Sequence, residues 1–275
     1  MARSPNAQIA VDQYTQLLAK YKWDKSEAWH GIVRLLLTCK HFEAGGWKPL
    51  RDVVVYREAN DFKKGDNAVL ERAEKLSQYL AQQLGIPRSS LCDAIGTYWN
   101  TPRIATTQPN NIVGHAFRSI AVTILKTFGD PRVTYEEEVA PATEFPGYPF
   151  PTRSKQAKFD IVARRGSMTV ALISSRWRFR HDRVDVVDEA VSYAPAARHH
   201  NPNCRLYVLV GEFDPSRLYK IISNCPPIHA HPAISAAVHF APELISQGLG
   251  VNGDKNRVQH LKSLEWLIGE SFTWK

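Results

Sequence analysis

The sequence predicts an α/β protein: a mixed β-sheet flanked by helices, preceded by a helical N-terminal region. Three observations predict it. Up to about residue 130, apolar residues recur mostly at i, i+3, i+4 spacing, as in amphipathic helices. Beyond residue 131 the period shifts towards two, as in strands. From residue 184 onward, helix-like and strand-like stretches alternate, the pattern of strands joined by crossover helices.

The elements follow in order. Residues 8–43 read as helical, through "VDQYTQLLAKY" and "AWHGIVRLLLTCKHF". "VLERAEKLSQYLAQQLGIP" (69–87) is an amphipathic helix with a Gly-Ile-Pro stop. Residues 98–111 are turn-rich and read as a connection. "IVGHAFRSIAVTILKTFGD" (112–130) is a buried helix ended by a proline. "RVTYEEEVA" (132–140) is a strand candidate and "FPGYPFPTR" (145–153) a proline-rich loop. "AKFDIVARRGSMTVALISS" (157–175) reads as two strands joined by a turn at Arg-Arg-Gly-Ser. Residues 184–200 and 215–223 read as helices, 204–211 and 236–241 as strands, and about 256–270 as a last helix. Residues 1–110 are expected to form a helical N-terminal region, and 111–275 the core.

At 275 residues with 44% hydrophobic content, the chain is long enough for a real core. No apolar run reaches the roughly 18 residues that span a membrane. The start lacks an apolar signal-peptide region, so a cytoplasmic setting without a membrane partner is expected. Four scattered cysteines without a CxxC pair fit a reducing compartment. Phosphate-cradling glycine motifs and the GxSxG elbow are absent, and "CPPIHAH" lacks the usual spacing of zinc ligands.

The net charge of +8 points to an anionic partner, nucleic acid ahead of membrane. Residues 151–183 hold nine Lys or Arg against two Asp, a net +7 and nearly the whole excess. Within it, "ALISSRWRFRHDR" (171–183) ends an apolar strand in four arginines.

On a strand, residues two apart share a face, so Ser174, Arg176, Arg178 and Arg180 point one way, and Ile173, Trp177 and Phe179 the other. If the two strands pair, Asp160 lies beside Ser174 and Arg176. A carboxylate and a cation on adjacent strands are the minimal kit for metal-assisted phosphodiester hydrolysis.

These residues resemble a family. Asp160 in "KFDIV", followed by Ser174-Ser175-Arg176 at the end of the next strand, resembles the PD-(D/E)xK nuclease signature. More narrowly it resembles the type II restriction endonucleases that recognise CCGG or CCNGG cores. In that group a Ser replaces the middle acid, and a Glu on the following helix restores the carboxylate. Glu189 suits that displaced acid, with Asp185 and Asp188 as alternatives. Arg180-His181-Asp182-Arg183 resembles the group's base-reading Arg-x-Asp-Arg motif, and "GHAFRSI" its G-x-x-F-E helix. The resemblance spans about 112–211. Two positions depart from it: the catalytic Lys is Arg176, and the helix acid after Phe117 is Arg118. An arginine clamps phosphate or stabilises charge but does not shuttle a proton.

The resemblance implies a restriction-endonuclease-like core and Mg²⁺-dependent cleavage of double-stranded DNA at a CCGG-type site. It implies Asp160, Ser174, Arg176 and Glu189 as catalytic residues, with Mg²⁺ on Asp160 and Glu189. Arg180, Asp182 and Arg183 would read bases, with Asp182 accepting from cytosine, and Arg178 would contact phosphate. A homodimer or homotetramer and a cognate DNA methyltransferase are the expected partners.

Plainer readings stand beside this one. The arginine run also reads as the solvated face of a half-buried strand, and Glu189 as an exposed helix residue. The acidic run Glu136–Glu138 reads first as a solvated strand edge. Rival functions are a repair or structure-specific nuclease, a catalytically inactive DNA-binding relative, and a basic regulatory protein.

Overall fold

The computed structural model describes residues 5–36, 40–43, 46–49, 75–76, 78–85, 109–150, 158–177, 185–213, 215–248 and 258–275. Its centre is a six-stranded mixed sheet whose spatial order follows the chain order. The strands are β3 (Val133–Val139), β4 (Phe159–Arg165), β5 (Met168–Arg176), β6 (Arg205–Val210), β7 (Ala236–His239) and β8 (Lys262–Ser263). The first three pair antiparallel, and β5 to β8 run parallel. A mixed sheet flanked by helices is the predicted class.

The switch from antiparallel to parallel follows from the connections. Gly166, at φ +61°, allows the tight turn from β4 to β5 at the predicted Arg-Arg-Gly-Ser. The parallel strands need longer crossovers. These are α5 (Asp185–His200), α6 (Pro215–Ile222) and α7 (Pro242–Gly248). The strands β6 and β7 are buried almost throughout, as their apolar runs require.

Before the sheet come α1 (Pro5–Tyr21), α2 (Trp29–Leu35), a two-stranded ribbon of β1 (Lys40–Glu43) and β2 (Gly46–Pro49), and α3 (Pro109–Phe128). A one-turn helix, α4 (Pro141–Glu144), follows β3. Helix α1 lies against α3, and one apolar cluster runs from Tyr14 and Ile32 through Phe117 to Trp274. Gly31 lets α1 and α2 meet, since a Cβ there would stand 2.4 Å from the Tyr14 ring.

Two sequence expectations need correction. The helix expected to run to residue 43 ends at Leu35, and Lys40–Glu43 pair antiparallel with Gly46–Pro49. The i, i+3, i+4 pattern does not separate a helix from a short ribbon over so few residues. The helix expected from about 256 starts only at Leu264, as α8 (Leu264–Glu270). Lys262 and Ser263 pair with Val238 and His239 instead, and Ser263 Oγ caps the helix by accepting from the Trp266 N–H at 3.0 Å. Residues 69–74, 86–87, 98–108 and 151–157, which carry parts of the expected helix, connection, loop and hairpin, lie outside the described residues. Elsewhere among the described residues the boundaries shift little. The buried helix starts at Pro109 rather than 112, and residues 78–84 are helical up to Gly85 at φ +62°.

Ion pairs fasten the outer strands. Glu144 takes Arg164 through Nε at 3.0 Å and also accepts from Thr169. Arg164 reaches on to Glu136 at 2.8 Å. Asp130 is held below the usual carboxylate range by hydrogen bonds from Arg132, with Arg165 adding a further contact at 2.7 Å.

Candidate active site

The antiparallel register sets Ile161 opposite Ile173, which brings Asp160 at the start of β4 beside Ser174 near the end of β5. Both stand at the sheet edge where the parallel strands end, the usual place for ligand sites in α/β sheets. Asp160 Oδ2 accepts from the Ser175 N–H at 2.9 Å and from Ser174 Oγ at 3.4 Å. Arg176 Nη1 donates to the same oxygen.

Helix α5 supplies the other carboxylate. Arg176 Nη2 donates to Glu189 Oε2 at 2.8 Å, so one guanidinium joins Asp160 to Glu189. Among the described side chains of these acids, Glu189 is joined to Arg176 and Asp188 is exposed. The side chain of Asp185 lies outside the described residues, as do Arg178, Arg180, Asp182 and Arg183.

Beside this pair lies a small, partly open cavity of about 30 Å³, bounded by Asp160, Ser174, Glu189, Tyr193, Leu172 and Val208 among others. Burial, with Glu189 adding to it, pushes the Tyr193 hydroxyl up to about 12, so it stays protonated at neutral pH.

The α3 helix approaches from the other side. Arg118 Nη1 lies 3.6 Å from Asp160 Oδ1, its Nε 3.3 Å from Glu137 Oε2 and its Nη2 3.0 Å from Glu138 Oε1. Ser119 Oγ donates to Glu137, and Arg118 Nη2 also stands 3.0 Å from His115 Nδ1. Glu138 reaches its place with φ at +58°, a left-handed conformation that a non-glycine residue adopts at a cost of about 1–3 kcal/mol. The acidic run is therefore divided: Glu136 braces Arg164, while Glu137 and Glu138 face the site. Reading "EEE" first as a solvated edge missed this. Arg118, a cation in the buried middle of α3, hints at acidic partners but not at which ones.

Trp177 fixes the end of β5. It stacks on Phe240 at 6.0 Å and meets Phe117 edge-on at 5.2 Å. Gly211, whose N–H donates to the Arg176 carbonyl at 2.9 Å, leaves room for the indole. Trp177 thus packs inward as predicted, while Arg176 on the alternate face meets Asp160 and Glu189.

The carboxylates of Asp160 and Glu189 converge on one cationic group, with Ser174 Oγ beside them. Hard oxygen donors of this kind suit Mg²⁺, which is held by one or two carboxylates and keeps several waters. A divalent ion held by Asp160 and Glu189 would stand where the Arg176 guanidinium now lies. Among the described residues, no group of three or more His, Cys, Asp or Glu is arranged to hold a metal. No described helix is long and apolar enough to cross a membrane.

No family model matches the chain, and no curated protein matches its sequence. Among solved structures, the chain is similar to the restriction endonuclease PspGI in a complex with substrate DNA. The similarity has a TM-score of 0.41 and 11% identity, over 98% of this chain and 92% of that one.

Proposed function

We propose that the protein is a Mg²⁺-dependent type II restriction endonuclease that cuts double-stranded DNA at a site with a CCGG-type core. One observation carries the reading: Asp160, Ser174, Arg176 and Glu189, picked out by their sequence pattern, meet at a single point on the edge of the sheet. Asp160 and Glu189 would hold Mg²⁺, which when bound supplies charge stabilisation on the phosphate and an activated water. Arg176, released from the carboxylates, turns to the scissile phosphate and offsets its developing charge. It does not take a proton, so the proton leaves through water. Ser174 orients Asp160.

The sequence beyond the site supplies the rest. Arg180, Asp182 and Arg183 would read the guanines and cytosines, with Arg178 on phosphate, all in the segment outside the described residues. A palindromic site calls for a homodimer or homotetramer, with residues 1–110 assisting in DNA binding or dimerisation. A cognate methyltransferase protects the host DNA, and the setting is the prokaryotic cytoplasm.

A second reading is favoured by the bridging of Asp160 and Glu189 by Arg176: a DNA-binding relative in which arginine has permanently replaced the metal. Incubation with plasmid DNA and Mg²⁺, followed by sequencing of fragment ends, separates the two. Discrete fragments sharing a terminal sequence support the endonuclease. A smear points to a non-specific or repair nuclease, and a retained complex without cutting to the inactive relative.

A further inference from the structure

We propose that Arg118 takes the place of a second metal ion, so that the site accepts one divalent cation per chain and not two. This rests on the nuclease reading above, in which Asp160 and Glu189 hold the metal.

The two oxygens of Asp160 face different cations. Oδ2 meets Arg176, and Oδ1 lies 3.6 Å from Arg118 Nη1. The two arginines are held differently. Arg176 stands at a strand end, with 29% of its side chain exposed, between Asp160 and Glu189. Arg118 rises from the middle of α3, with 10% exposed, and is held by Glu137, Glu138 and Asp160 together. A divalent ion that displaces Arg176 gains two carboxylates and leaves the guanidinium free for phosphate. One that displaces Arg118 must drive out a guanidinium that is only 10% exposed and held by three carboxylates, with little solvent to receive it.

Two-metal sites set their ions about 3.5–4 Å apart, with carboxylates shared between them. Asp160 would have to be the shared ligand, and its Oδ1 side is already occupied by fixed positive charge. Glu138 holds a left-handed φ of +58° while its carboxylate lands on Arg118, so the backbone there is strained in the conformation that makes this contact. Arg118 acts through Asp160 and is a positioning residue.

Mn²⁺ alone is the probe. Full-length wild type, Arg176→Ala, Arg118→Lys and the double variant Arg118→Glu/Arg176→Ala are titrated by calorimetry and followed by electron paramagnetic resonance. One Mn²⁺ per chain with an isolated-ion spectrum is expected for Arg176→Ala, and in wild type and Arg118→Lys at weaker affinity. The double variant should take two, with the spectrum of a coupled pair. Two coupled ions in Arg176→Ala, with Arg118 intact, overturn this inference and leave the nuclease reading standing. No Mn²⁺ on either wild type or Arg176→Ala overturns both. If circular dichroism shows the double variant unfolded, the count in Arg176→Ala still decides.

Discussion

Arg176 Nη2 and Glu189 Oε2 stand 2.8 Å apart, joining the last residue of β5 to a helix that begins nine positions further on. With Asp160 on the other arm of the guanidinium, the arginine holds the place a divalent cation would take. In the nuclease reading this arginine has two positions, one on the carboxylates and one on DNA.

Arg176→Lys should retain measurable cleavage, because a compact cation still reaches phosphate. Arg176→Ala should lose about 10²–10³ in single-turnover rate, the usual cost of one transition-state donor. Measured at saturating DNA, an Arg176→Ala protein that cuts as wild type assigns that role elsewhere.

Gly211→Ala should loosen the anchor of β5. A Cβ there would stand 2.4 Å from Trp177 Cε3 and 2.8 Å from Cζ3. Overpacking of this kind costs about 1–3 kcal/mol, a fall of several degrees in the melting temperature. Pairing it with Trp177→Phe should recover part of the loss in a thermal melt. A Gly211→Ala melt identical to wild type contradicts the packing account.

Stability should fall on acidification because of His239. Burial holds its imidazole down at about 3, against an ordinary value of 6.5, and Nδ1 accepts the Ala241 N–H at 3.0 Å. The folded state keeps the ring neutral while the unfolded chain protonates it. Stability is therefore lost as pH falls below about 6.5, by about 1.4 kcal/mol per unit for this one group. Half-buried His30, also lowered by burial, adds in the same direction. His239→Asn should flatten the slope between pH 7 and 5 in urea unfolding. An unchanged slope removes His239 from the account.

Arg180→Ala and Arg183→Ala should weaken binding to CCGG-type duplexes while sparing non-specific binding, at about 1–3 kcal/mol per lost guanine contact. Arg178→Ala should weaken both alike and lower the salt slope by about one. Competition binding in Ca²⁺ with CCGG, CCNGG and scrambled duplexes reads this directly. Equal affinity of wild type for all three rules out the CCGG-type core.

The hairpin was legible because period-two alternation on both sides of a Gly turn marks two paired strands. A bulge at Ala163/Arg164, however, shifts the register by one residue and so sets Asp160 beside Ser174, which no local pattern gives. Glu189 was legible only through the resemblance; as a residue of α5 it looks like any exposed acid. The roles of Glu137, Glu138 and Arg118 were hidden, because they depend on how α3 lies against β3, a packing that no local pattern encodes. Lys262 and Ser263 were misread for a related reason: two residues of strand carry no periodicity, and only their pairing with β7 defines them.

The most direct test of the central claim is single-turnover cleavage of an end-labelled duplex in Mg²⁺ by wild type and Asp160→Asn, with DNA affinity measured on the same samples. The substitution keeps the size of the side chain and its acceptor for the Ser175 N–H but removes the charge that holds the metal. Wild type is expected to cut, and Asp160→Asn to bind DNA with similar affinity while its cleavage is abolished. Cleavage by Asp160→Asn at the wild-type rate would contradict the assignment of this site as the catalytic centre.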